Sequence, residues 1–255
     1  MQSKLEVQNL SYSYHSMEGE TKALSNLSFH VRCGEFMAIV GPSGCGKSTL
    51  LSLLCGLLIP EEGKILIDGI PQSESTVPIG YMLQRDHLFE WRTILSNVSL
   101  GLEIQHRLGT KEAAELHQML STYGLSQFEQ AKPSELSGGM RQRAALIRTM
   151  ALKPDLLLLD EPFSALDYQT RLEVCDDISS IIRQSGKTAV LITHDLSEAI
   201  SVADRIIVLT GRPARIKTIL ELDFDEEYAR PLARRNAPAF PTYFNQLWKE
   251  LRTYD

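Results

Sequence analysis

The spacing of apolar and polar positions changes several times along the chain. Leu5 and Val7 alternate with polar neighbours, and Leu27, Phe29 and Val31 repeat that period of two before Gly34, the signature of strands covered on one face. Phe36–Val40 is apolar throughout, as expected of a strand covered on both faces. Ile65 and Ile67 alternate again between Gly63 and an Asp68-Gly69 turn. From about 85 to 154 the spacing becomes helical. Ala113, Leu116, Leu120 and Tyr123 form one stripe with Thr110 placed to cap it, and Met140, Ala144, Ile147 and Ala151 form another after Ser137-Gly138-Gly139. Apolar runs return at 156–159, 188–193 and 205–209, separated by helical segments, which is the alternation of a parallel α/β sheet. The pattern predicts an antiparallel β flank (within 1–84) beside a parallel α/β core completed by 155–222, interrupted by a helical insertion over 85–154. In the tail, 223–255, Phe244, Leu247, Trp248 and Leu251 fall at i, i+3, i+4 and i+7, predicting a helix packed on its own domain.

Composition narrows the class. The 255 residues are 43% hydrophobic with a net charge of −6, which opposes a nucleic-acid binder working through a broad basic face. The longest apolar stretch, 50–59, is ten residues long and contains Ser52 and Gly56, too short to span a bilayer. The opening Met1-Gln2-Ser3-Lys4-Leu5-Glu6 has no apolar run of the kind a secretory signal carries. Cys33, Cys45, Cys55 and Cys175 lie far apart and the six histidines do not cluster, so neither a disulfide scaffold nor a zinc site is expected.

Gly41-Pro42-Ser43-Gly44-Cys45-Gly46-Lys47-Ser48-Thr49 satisfies G-x-x-x-x-G-K-[ST] between a strand pattern and a helix-like run over 50–58. Glycines let the backbone curl around a phosphate chain and aim N–H groups inward, and the helix that follows adds its positive end. Lys47 supplies a charge for the β- and γ-phosphates, and Ser48 a hydroxyl for Mg²⁺. A nucleoside triphosphate site follows, with the helix expected beneath the sheet. The apolar run 156–159 ends in Asp160-Glu161-Pro162. Asp160 fits the carboxylate that holds Mg²⁺ at the carboxyl edge of such a sheet. If the strand pleat persists, Glu161 points elsewhere and can face the attacking water as general base or water-positioning group.

The second glycine loop, Leu136-Ser137-Gly138-Gly139-Met140, places bare backbone after a helix-capping serine, a further helix N-terminus able to receive an anion. With it, the chain resembles the ATP-binding subunits of ABC transporters over nearly its whole length. The resemblance implies a P-loop NTPase (RecA-like) core in which Ser137, Gly138 and Gly139 are the signature motif, with Met140 where Gln is common. It implies that Tyr14, after the first strand, stacks on adenine, and that Gln84, after the strand-like 79–83, contacts Mg²⁺ or water and senses the membrane partner. Asp167, in Ser164-Ala165-Leu166-Asp167, matches the loop that crosses between subunits, and His194 matches the switch histidine on the γ-phosphate.

The mechanism so implied has two copies of the chain sandwiching two ATP molecules with Mg²⁺, each bound by the phosphate loop of one copy and the signature of the other. Hydrolysis releases the pair and drives transmembrane permease subunits, which in turn meet a substrate-binding protein. The chain is then peripheral on the cytoplasmic face of the cell membrane, with no nucleic-acid partner. The segment Leu88-Phe89-Glu90-Trp91-Arg92 through Glu103, with Gly211-Arg212-Pro213-Ala214-Arg215-Ile216 and the Trp248 tail, resembles importers of the nitrate/sulfonate/taurine type, a group that also serves thiamine-precursor-like substrates. Members often carry Leu-Pro-Trp where this chain has Phe89-Glu90-Trp91. Leu88, Phe89 and Trp91 are candidates to line the groove for a coupling helix of the permease, with Phe89 or Trp91 partly accessible in an isolated subunit; helix packing is the competing role. Cys45, at a helix N-terminus beside Lys47, is a candidate for a more reactive thiol than the others; a tolerated small residue at a variable loop position is the competing reading. A soluble ABC ATPase not coupled to transport is the alternative, though such proteins carry tandem domains or long coiled-coil insertions.

Overall fold

A computed structural model describes residues 2–17 and 19–252; Met1, at the head of the opening residues considered above, and 253–255, at the end of the predicted tail, lie outside the described residues. Two sheets form the frame. β1 (Ser3–Ser16), β2 (Gly19–Arg32), β4 (Glu62–Ile67) and β5 (Ile70–Pro71) make an antiparallel sheet in the order β2-β1-β4-β5. The larger sheet contains β3 (Phe36–Val40), β6 (Ile79–Met82), β7 (Leu156–Asp160), β8 (Thr188–Ile192), β9 (Arg205–Leu209) and β10 (Ile216–Glu221), in the order β10-β9-β3-β8-β7-β6. All neighbours in it are parallel except the edge strand β10, antiparallel to β9. The alternating period of β10 is broken by polar residues, and the sequence pattern did not reveal it as a strand.

The apolar run of β3 is buried at every position, and its residues alternate between the two faces of the sheet. Met37 and Ile39 face α1 (Lys47–Leu54) and the inner side of the flank, where Leu5, Val7, Leu27, Phe29 and Val31 pack. Ala38 and Val40 face α6 (Leu196–Val202) and Leu247 of α8 (Phe240–Arg252). The tail helix therefore packs on its own domain, through the residue at the centre of its apolar stripe. The phosphate-loop helix lies between the two sheets and is shorter than its leucine pattern suggested. It ends at Leu54, Gly56 turns the backbone at φ 80°, and Leu57 and Ile59 are exposed.

The helical segment comprises α2 (Ile94–Ile104), α3 (Thr110–Thr122) and α4 (Gly138–Met150), with α5 (Tyr168–Gln184) behind. Thr110 is the first residue of α3, not its cap; Gly109 occupies the cap position without a side-chain bond. α4 serves two cores. Ala145 and Leu146 pack with Leu157, Leu159 and α5, whereas Ala144, Ile147 and Ala151 pack with α2 and α3.

A buried ion pair ties the sheets together. The Arg205 guanidinium of β9 bonds the Glu35 carboxylate and the His30 carbonyl of β2, and Glu35 accepts from the Arg32 N–H at 2.6 Å. Both side chains are almost fully buried, so removing one partner strands a charge away from water. Arg205→Ala should lower unfolding free energy by about 3–5 kcal/mol, read by urea denaturation. A change within about 0.5 kcal/mol would show that the clamp adds nothing.

Candidate active site

Because five strands of the core sheet run parallel, their carboxyl ends share one edge. The loop after β3 supplies 41–46. Gly46 adopts φ 121° and caps α1, and a Cβ there would stand 2.9 Å from Leu24 Cδ2 and 3.1 Å from the Ala23 carbonyl. Gly41 sits against Leu209, 3.1 Å from where its Cβ would be. Ser43, Gly44 and 46–49 of the phosphate loop, with Gln84, Glu161 and Arg212, line one cleft of about 380 Å³. Lys47 is buried, its Nζ donating to the carbonyls of Gly41 (2.8 Å) and Pro42 (2.9 Å). Tyr14 lies within β1 rather than after it, and its hydroxyl is 3.0 Å from Thr49 Oγ1. A half-exposed aromatic thus stands at the first turn of the phosphate helix.

Asp160 ends β7 beneath this loop. Burial pushes its carboxyl above the usual range, the nearby Ser48 hydroxyl opposes that rise, and the charge of Glu161 pushes it further up. Tyr81 of β6 also donates to Asp160, at 3.4 Å. The pleat does not continue into Glu161. That residue adopts φ 44°, and its N–H donates to the Ile192 carbonyl at 2.9 Å. The turn, not strand alternation, separates the two carboxylates. It brings Glu161 Oε2 within 3.3 Å of Gln84 Nε2 and 3.1 Å of His194 Nδ1. Gln84 also donates to Ser164 Oγ at 3.2 Å. Ser48 and Asp160, with Gln84 near, are hard oxygen donors of the kind Mg²⁺ prefers.

The remaining expected residues lie elsewhere. Ser137 caps α4, accepting from the Met140 N–H at 3.4 Å, and neither it nor Gly138, Gly139 or Asp167 lines the cleft. Gly139 has a packing role as well: a Cβ would stand 2.8 Å from Thr170 Cγ2 on α5. Asp167 caps α5 through the Thr170 N–H. The expected reactivity of Cys45 is overturned. Its thiol is buried, and desolvation raises its pKa by more than the nearby Lys47 charge lowers it; Cys33 is the exposed thiol.

Beside the cleft, Phe89 is 37% and Trp91 74% exposed, with ring centroids 4.8 Å apart, whereas Leu88 is buried and cannot line a surface groove. Fully buried Asn97 holds this loop, accepting from the Phe89 N–H at 2.7 Å and donating to the Phe89 and Thr93 carbonyls. Arg141 and Arg148 of α4 reach the same loop, on the Asp86 carboxylate and on the Asp86 and His87 carbonyls. Arg148, Tyr81 and Glu198 carry no local sequence signal, and Arg212 stands out only within a longer motif.

The family model described as ABC transporter matches residues 24–164. The uncharacterized ABC transporter ATP-binding protein YtlC of Bacillus subtilis is 44% identical over 98% of this chain and 96% of its own length. The taurine import ATP-binding protein TauB of Pseudomonas aeruginosa is 38% identical over 94% and 92%, and the nitrate import ATP-binding protein NrtC of Synechococcus elongatus is 39% identical over 89% of this chain and 34% of itself. Among solved structures, a dimeric post-hydrolysis state of the ATP-binding cassette MJ0796 bound to ADP and Pi superposes with a TM-score of 0.74 at 31% identity, covering 87% of this chain and all of that one.

The turn that carries His194 rests on a buried carboxyl. Thr193 Oγ1 donates to Glu198 Oε2 at 2.8 Å and accepts the Asp195 N–H at 3.0 Å, bracketing His194. Burial pushes Glu198 up to about 8, opposed by the Thr193 bond and reinforced by Asp195. The unfolded chain therefore releases this proton first as pH rises, so stability from this group is fullest below about 4.5 and is lost as pH climbs to about 8. Glu198→Gln keeps a neutral side chain of the same shape. Its thermal midpoint should gain on the wild type across that pH span, and parallel midpoint curves would show that Glu198 is ionised in the folded protein throughout.

Proposed function

The chain belongs to the ABC transporter family, and from that premise we propose that it is the energy-coupling ATPase of an import system. The observation that carries the catalytic reading is the Gln84–Glu161–His194 contact standing over the phosphate loop. The loop amides and Lys47 bind the triphosphate. Glu161 takes the proton of the attacking water, and Gln84 and His194 hold that water and the carboxylate in line. Mg²⁺, held from the protein side by Ser48 and Asp160 with Gln84 near, would offset the negative charge of the phosphates. Tyr14 supports the adenine.

Two copies face one another in this reading. Ser137, Gly138 and Gly139 at the N-terminus of α4 lie outside their own cleft, and that helix end offers partial positive charge to the phosphates held by the second copy; Asp167 lies at the crossing between copies. Nucleotide thus binds the closed pair better than the open one, and hydrolysis removes that difference. The regions 1–84 and 155–222 form the nucleotide-binding core, 85–154 the helical subdomain and 223–255 the tail. Among the described residues no helix is long and apolar enough to cross a membrane, so permease subunits carry the substrate and this chain sits against their cytoplasmic face, meeting a substrate-binding protein only through them. Relatives named for taurine and nitrate import support small nitrate-, sulfonate- or taurine-like substrates, or thiamine-precursor-like ones. The exposed Phe89–Trp91 pair, fixed by Asn97 and tied to α4, is the docking surface for the permease.

Glu161→Gln should slow turnover by roughly 10²–10⁴-fold with nucleotide affinity kept, leaving an ATP-bound dimer visible by gel filtration. Near wild-type turnover would remove Glu161 from the role of base. Trp91→Ala should release the chain from a co-purifying multi-span membrane protein, and retention of that partner would move the docking surface elsewhere.

A further inference from the structure

Five parallel strand ends meet at the cleft, and four already have tasks: the phosphate loop after β3, His194 after β8, Asp160 and Glu161 at β7, and Gln84 after β6. The fifth, β9, is the direct neighbour of β3 on the side away from β8. Its end carries Arg212, which lines the same cleft as Ser43, Gly44, Gln84 and Glu161. We infer that Arg212 is a second cation of the phosphate site and grips the terminal phosphate of the bound nucleotide. The inference rests on reading the cleft as the ATP site.

The loop that presents Arg212 is held in place. The Thr210 N–H donates to the Arg215 carbonyl and the Arg215 N–H to Thr210 Oγ1, both at 2.9 Å. Buried Ala214 donates its N–H to the Ala23 carbonyl and accepts from the Ser25 N–H, again at 2.9 Å. The same stretch of β2 abuts Gly46 of the phosphate loop, so one strand backs both walls. Lys47 and Arg212 are the cations lining the cleft. Lys47 is drawn back onto two loop carbonyls, whereas Arg212 is exposed and makes no hydrogen bond or ion pair among the described residues. A guanidinium fork matches two phosphate oxygens at once. Strand order places Arg212 and Glu161 on opposite flanks of the phosphate loop. Glu161 stands where the attacking water would be, so Arg212 brackets the phosphate that water attacks.

The test is equilibrium binding of the β,γ-imido analogue of ATP and of ADP, each with Mg²⁺, to the full chain. Arg212→Gln should weaken the analogue roughly tenfold and ADP less than about twofold. Arg212→Lys, which keeps the charge and loses the fork, should fall between. Arg215→Gln, on the same loop but lining a separate pocket with Ser25 and Asn26, should match the wild type. Equal weakening of both nucleotides by Arg212→Gln, or none, overturns the inference. Lys47→Ala separates this from failure of the site itself. If Lys47→Ala loses nucleotide and Arg212→Gln does not, only the Arg212 assignment falls; if neither variant loses nucleotide, the cleft is not the ATP site.

Discussion

The parallel pairing of β3 with β8 on one side and β9 on the other is the constraint from which the site follows. Parallel strands deliver all their carboxyl ends to one edge, and helices must cover both faces to bury the strands. β3 is buried on both faces, with α1 and the flank sheet on one and α6 and α8 on the other. The phosphate loop is therefore held between packed layers at both of its ends. Its amides are positioned before nucleotide arrives, which is the form of preorganisation that phosphoryl transfer rewards.

Around that fixed loop, the chemistry depends on side chains held from behind. Glu161 lies in a left-handed turn pinned to Ile192, and His194 is carried on a turn knitted by Thr193, Asp195 and the buried Glu198. Burial favours the neutral form of the Glu198 carboxyl, which limits the charge set beside Glu161. Asp160 shares the buried environment but has the Ser48 hydroxyl to oppose its protonation. Three neighbouring carboxyls thus differ in burial and partners.

The helical segment is connected to this machinery by charge. α4 begins at the glycine-rich cap and, one and three turns further on, grips the loop after Gln84 through Arg141 and Arg148. Burial works against charge on Asp86, yet Arg141 and the Leu88 N–H hold its carboxyl below the usual range. The loop carrying Phe89 and Trp91 is thereby linked to both the nucleotide cleft and α4, and a rigid-body movement of α4 would be felt at the exposed aromatics.

Chemistry encoded by contiguous residues was legible from the chain alone: the phosphate loop, Asp160-Glu161 and the Ser137 cap each combine residue type and spacing within a few positions. The parallel core and the tail helix were legible too, since burial imposes a period on the sequence. What escaped depended on backbone direction or distant neighbours. α1 ends at Leu54 because Gly56 turns the chain, although leucines continue beyond it. Glu161 leaves the pleat at φ 44°, Leu88 turns inward, and Cys45 is buried in the core that Leu209 and the flank share. Arg212 reaches the cleft only because β9 pairs with β3, two strands far apart in sequence. The sequence by itself determined which groups could do phosphate chemistry; the tertiary structure decided which of them meet, because strand pairing and desolvation act between residues that no local pattern connects.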